Sequence, residues 1–152
     1  MVKDLSFSGT YTGIDLSPTI IERNRTLRPD WTFVEGDFLE WARDGGEPAD
    51  LVICFDVLIH QQDATTYRDF VRTLINGTRK VALINGFEKN VHFVEALKIC
   101  AFHEPLSVTL SDLGVDRARR LGRFRRTTIY RIDKESTRPV VGGVVDSVRE
   151  RI

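Results

Sequence analysis

The stretch from Tyr11 to Phe38, YTGIDLSPTIIERNRTLRPDWTFVEGDF, constrains the fold more than any other. Tyr11 to Ile14 has the character of a short strand, and Ser17 followed by Pro18 is a helix start. A serine hydroxyl there can accept a bond from a first-turn N–H, and proline at the first helical position loses nothing by lacking its own. Ile20, Ile21, Asn24 and Leu27 then fall on one face at helical spacing, and Pro29 stops the helix. This order fixes Asp15 at the carboxyl end of a strand, directly before a helix. In open α/β sheets ligands bind beyond those ends, and a carboxylate there can accept both hydroxyls of a ribose.

The next segments repeat the pattern. Thr32 to Glu35 reads as a second strand, Gly36 permits a tight turn carrying Asp37, and Phe38, Leu39 and Trp41 suggest a short helix ending near Gly45 and Gly46. Ala49 to Phe55, ADLVICF, is apolar without alternation, the pattern of a central parallel strand covered on both faces. Asp63 can cap a helix whose Tyr67, Phe70, Val71 and Leu74 share a face, with Gly77 as its end. Val81 to Asn85 gives another buried strand. Strand, helix, strand, helix, strand implies an α/β fold with a mostly parallel, right-handedly wound sheet. Helix and strand readings compete over residues 91–101. Pro105 opens a short helix running to Leu113, and Thr127 to Ile132 is a late strand pairing near Arg119 to Phe124 as a C-terminal antiparallel edge.

Size and charge narrow the function. A chain of 152 residues, 41% hydrophobic, makes one domain, here residues 1–133, with 134–152 as a C-terminal tail. Twenty-two basic residues balance twenty-two acidic ones, so no global field draws the chain to nucleic acid or membrane. Leu51 to Phe55, the longest apolar run, is far too short to span a bilayer, and no signal-peptide pattern opens the sequence. Cys54 and Cys100 suit two reduced thiols in a cytoplasmic protein rather than a disulfide. His92 and His103 lack ligand spacing with each other or with the cysteines, so no metal site is expected.

Three segments carry a resemblance to the class I S-adenosylmethionine-dependent methyltransferases, which have a Rossmann-like sheet. GIDLSP resembles the segment after the second family strand, EGDF the next motif, and DLVICFDVLIH the fourth-strand motif. The resemblance implies S-adenosylmethionine as cofactor, with Asp15 on the ribose, Leu16 beside the adenine, Asp37 reading the adenine amino group and Phe38 packed on the ring. It places Phe55 and Asp56 at the methionine end, with Ile59 and His60 towards the substrate. The implied activity is methyl transfer to a small-molecule acceptor, with His60 as a candidate general base. The sequence departs from the family at one place. The glycine-rich motif after the first strand should precede Asp15 by about twenty residues, and only fourteen residues precede it here. The family's central strand is missing with it. A hole in the sheet is expected, between the strands of Tyr11 to Ile14 and Leu51 to Phe55, to be explained by N-terminal truncation, a partner chain or homo-oligomer, or a rearranged sheet.

Simpler roles stand beside these. Asp15 and Asp37 also suit plain helix caps, Phe38 a core position and His60 a structural histidine. Arg117, Arg119, Arg120, Arg123, Arg125, Arg126 and Arg131 surround Phe124. Such a stretch suits phosphate or RNA contact, but more often protects a sheet edge. Tyr130 and Lys134 match a reductase Y-x-x-x-K pair, yet a strand holds them about 13 Å apart. An alternative of a different class is an inactive methyltransferase-like interaction or scaffolding module. Finally, PVVGGVV in the tail is expected not to supply the missing strand, because its glycines interrupt the apolar run.

Overall fold

The computed structural model describes residues 8–88 and 104–134. The competing readings over 91–101 and the PVVGGVV segment lie outside them. Asp15 ends β1 (Thr12–Asp15), and α1 (Pro18–Leu27) follows with Ser17 as its cap, its hydroxyl accepting from Ile20 N. Next come β2 (Thr32–Glu35), α2 (Phe38–Arg43) and β3 (Ala49–Cys54). A single turn of 3₁₀ helix (Leu58–His60) leads to α3 (Ala64–Asn76), capped by Asp63, and then to β4 (Thr78–Gly86). The C-terminal part is α4 (Leu106–Asp112), β5 (Ala118–Phe124) and β6 (Thr127–Asp133).

The described strands form two sheets. β1 and β2 pair in parallel, and a second sheet has the order β3-β4-β6-β5, with β3 and β4 parallel and β6 antiparallel to both its neighbours. The α/β class, the parallel pairs and the antiparallel edge agree with the sequence. So does the hole, since no hydrogen-bond ladder joins β1 to β3 among the described residues. A rearranged sheet in which these two edges meet is therefore not what forms.

Two expectations need correction. ADLVICF is not a central strand buried on both faces, because among the described residues β3 is the outermost strand of its sheet. Cys54 points into the core, but Leu51 and Ile53 on the other face are 49% and 57% exposed. The apolar run reports what the strand could bury, and among the described residues helices cover one face. Similarly, of the apolar face assigned to α1 only Ile21 is buried, while Leu27 is 60% exposed. Two strands are too narrow a platform to cover a ten-residue helix.

The core lies between the larger sheet and α3 with α4. Tyr67, Phe70, Val71 and Leu74 of α3 meet Cys54, Ala82, Ile84 and Ile132 from the sheet and Leu106 and Leu110 from α4. Gly86 allows α4 to approach, since a Cβ there would stand 3.1 Å from the Leu106 side chain. Phe38 and Phe70, with ring centroids 4.8 Å apart, tie α2 to α3.

One ion pair fastens α3 to the start of α4. Glu104 is buried and accepts both Arg68 Nε (2.9 Å) and Nη2 (2.7 Å), while Thr109 Oγ1 donates to it at 2.6 Å. The Arg68 guanidinium holds the Glu104 carboxyl below the usual range against the opposing effect of burial. A carboxyl lowered by folding stabilises the fold above its unfolded value, and that contribution is lost as pH falls through the folded value. Arg68→Met is therefore expected to lower the melting temperature by about 5 °C near neutral pH. Thermal melts across an acid series check this, because the deficit must shrink once Glu104 is protonated in both proteins.

Candidate functional site

The carboxyl ends of β1 and β2 bring acids side by side. The strands run in register, Asp15 opposite Glu35, and Gly36 N donates to Asp15 O at 3.0 Å. The Asp15 side chain is exposed and uses Oδ1 to accept Ser17 N at 2.8 Å, leaving Oδ2 without a hydrogen bond among the described residues. Asp37 caps α2, its Oδ1 accepting Leu39 N at 2.7 Å and Glu40 N at 3.1 Å, again with Oδ2 unengaged among the described residues. Asp15 and Asp37 thus both serve the helices that follow them and still present one acceptor oxygen. Leu16 stands next to Asp15, 72% exposed. The Phe38 ring is half-buried and packs on Trp41 as well as Phe70, which turns it towards the α2–α3 contact.

At the carboxyl end of β3 the chain turns sharply. Phe55 is 44% exposed, and Asp56 has φ +58, a left-handed conformation that aspartate tolerates better than most residues. Asn85 at the end of β4 holds it there. Asp56 N donates to Asn85 Oδ1 at 2.8 Å, and Asn85 Nδ2 donates to Asp56 Oδ1 at 2.9 Å and to Thr127 Oγ1 at 3.0 Å. Thr127 Oγ1 donates in turn to Phe124 O at 2.9 Å. A buried network therefore runs from β3 across β4 to the β5–β6 turn. Sequence reasoning overlooked Asn85, although a polar residue closing the apolar run VALIN is a signal that a buried amide needs partners. His60 is exposed in the 3₁₀ turn, and its imidazole makes no hydrogen bond among the described residues.

Other chemistries find little support. Burial pushes the Cys54 thiol up to about 12, so it is not a nucleophile at physiological pH. Among the described residues no three His, Cys, Asp or Glu side chains gather as metal ligands, and no helix is long and apolar enough to cross a membrane. An open groove of about 540 Å³ runs along α1, lined by Pro18, Glu22, Arg23 and Glu35 among others, and includes neither Asp15 nor Asp37.

The fold matches known structures. A magnesium protoporphyrin IX methyltransferase from Synechocystis PCC 6803, solved with bound S-adenosylmethionine, superposes with a TM-score of 0.57 at 19% identity, over 84% of this chain and 60% of that one. An O-methyltransferase family protein from Burkholderia thailandensis gives 0.61 at 22% identity, over 84% and 44%. The N-methyltransferase NodS from Bradyrhizobium japonicum WM9 gives 0.60 at 16% identity, over 84% and 74%. The fold is that of the class I S-adenosylmethionine-dependent methyltransferases. The chain spans 60% of the length of the first of these relatives and 44% of the second. No protein-family model and no curated protein matches the sequence. Asp15 ends β1 and Asp37 follows β2, while Phe55 and Asp56 follow the carboxyl end of β3.

Proposed function

We propose that the protein transfers a methyl group from S-adenosylmethionine to a small-molecule nucleophile. The observation that carries this reading is the pair of acids, Asp15 and Asp37, each with a carboxylate oxygen to spare at the ends of adjacent parallel strands of a methyltransferase fold. Asp15 would accept the ribose hydroxyls, Leu16 would lie against the adenine, Asp37 would accept a hydrogen bond from its amino group, and Phe38 would pack on the ring. Phe55 and Asp56 would border the methionine end. The cofactor supplies a methyl group on a sulfonium, already activated for in-line displacement. His60 would take the proton that an acceptor hydroxyl or amine gives up on methylation. The remaining task is alignment, which supplies much of such a rate.

The donor set fits the adenosine half better than the methionine half. A Cβ at Gly13 would stand only 3.0 Å from the Phe33 ring and 3.1 Å from the Tyr11 ring, so that glycine packs against side chains rather than opening a G-x-G cradle. Affinity should therefore rest on Asp15, where hydrogen bonds to a charged acceptor contribute about 1.5–3 kcal/mol each. Calorimetric titration should give weak binding, with little preference among S-adenosylmethionine, S-adenosylhomocysteine and adenosine, and none with Asp15→Ala. Tight binding of the first two that survives Asp15→Ala would place the pocket elsewhere. Failure of the wild-type protein to bind any of the three would favour the interaction-module alternative.

A further inference from the structure

The arginine-rich β5–β6 hairpin is unexplained by methyl transfer. Residues 117–131 hold seven arginines and neither an acid nor a lysine, in a chain whose charges balance only because these are counted. Arg131 is engaged by Asp133 through Nε and Nη2 at 2.9 and 2.7 Å. Arg119, Arg120, Arg123, Arg125 and Arg126 are exposed, and among the described residues Arg123, Arg125 and Arg126 make no ion pair. Protection of the sheet edge does not require this many. β5 is already broken by a register shift between Arg120 and Gly122, and one or two charges on a bulged edge deter strand pairing.

Residue type and placement point to a ligand. Arginine offers a planar fork that matches phosphate oxygens and stacks on flat rings, which lysine does not. Leu121 and Phe124 are interleaved with the arginines and are 50% and 47% exposed, and the Arg125 guanidinium lies 5.2 Å from the Phe124 ring centroid. A seven-residue strand extends about 20 Å, and its register sends Arg119 to one face and Arg120 and Arg123 to the other, so the guanidinium groups flank both sides of the β5 edge over a length that a lone phosphate could not fill. Guanidinium groups interleaved with apolar side chains along such a strand suit a single strand of nucleic acid, by backbone neutralisation and base stacking.

We propose that the β5–β6 hairpin is a binding surface for single-stranded nucleic acid, with phosphates on the guanidinium groups and bases on Phe124 and Leu121. β5 ends at the turn that the Asn85–Thr127–Phe124 network ties to Asp56, so a bound strand passes the carboxyl edge of the larger sheet. This surface stands whether or not the chain transfers methyl groups, and its test needs no cofactor.

The test is fluorescence anisotropy with labelled RNA and DNA oligonucleotides of about 12 nucleotides and identical sequence, over a salt series. Replacing Arg123, Arg125 and Arg126 together by Gln should reduce the slope of log affinity against log salt by about 2, or about 0.7 for each phosphate no longer neutralised. The equal charge change Arg23→Gln, Arg43→Gln and Arg72→Gln on other positions should leave the slope unchanged. Phe124→Ala should weaken binding roughly five- to a hundredfold without altering the slope. Equal binding of both oligonucleotides assigns recognition to backbone and stacking, and RNA preference adds the 2′-hydroxyl; either supports the surface. Indifference to the triple substitution overturns it. So does competition by poly-glutamate as strong as by unlabelled oligonucleotide, which would make the partner an acidic protein.

Discussion

In isolation the 152-residue chain is expected to associate through β3, and light scattering should show its mass rising with concentration. β3 hydrogen-bonds to β4 on one side, and among the described residues nothing pairs with its other edge. An unpaired row of N–H and C=O groups is a template for another strand. The same strand exposes Leu51 and Ile53, with Phe55 just beyond its end. Burying such side chains contributes about 1.5–3 kcal/mol each, so edge pairing and face burial reinforce one another. Two copies meeting about a two-fold axis would place identical β3 edges antiparallel and extend one sheet across both. Leu51→Lys with Ile53→Glu should weaken self-association by more than about a hundredfold, equivalent to some 3 kcal/mol. A compact monomer at every accessible concentration would sink this expectation, as would association indifferent to the double substitution.

The same strand marks the limit of what is legible in the sequence. Local signals can be read because they act within a few residues: Ser17–Pro18 starts α1, Asp63 caps α3, and Gly114 at φ +71 follows the end of α4. The parallel order and the antiparallel edge follow from periodicity. The two uncovered faces do not, because an apolar run records the capacity to be buried and says nothing of whether a neighbour exists. β4 begins three residues earlier than Val81, since Arg79 and Lys80 are held at the sheet's start by Asp50 across the ladder, at 3.1 and 2.5 Å. Those ion pairs join residues some thirty positions apart and leave no local pattern. At the site, Asp15 and Asp37 stand where the strand–helix junctions put them; Asp15 accepts the N–H of the cap residue Ser17, Asp37 accepts first-turn N–H groups of α2, and each keeps an oxygen for a ligand. Asp56 is legible as a strand-end acid, but its left-handed backbone and its dependence on Asn85 and Thr127 are products of tertiary register.

That dependence makes Asn85 the most sensitive single position at the site. Its side chain is 1% exposed, and it satisfies Asp56 N while donating to Asp56 Oδ1 and Thr127 Oγ1. Asn85→Leu fills similar space but leaves these groups without partners, each unsatisfied buried group costing about 1–3 kcal/mol. Part of that is recovered by water, because Asp56 is only half-buried, so a net loss of about 3 kcal/mol is expected in denaturant melts. Asp56 would also lose the hydrogen bonds that hold φ at +58, and amide exchange at residues 56–58 should accelerate by more than the global loss explains. Asn85→Asp separates geometry from charge. Its carboxylate can still accept Asp56 N, but it faces Asp56 Oδ1 with a like charge in place of a donor. The Asp variant should therefore be unstable near neutral pH and regain stability in acid as one carboxyl of the pair takes a proton that it can donate to the other. The Leu variant, which lacks a second carboxyl to share that proton with Asp56, should show a smaller recovery. Equal melts for Asn85→Leu and wild type would mean that the turn at Asp56 is held by β3 and the 3₁₀ helix alone, and that the network is a consequence of the turn rather than its support.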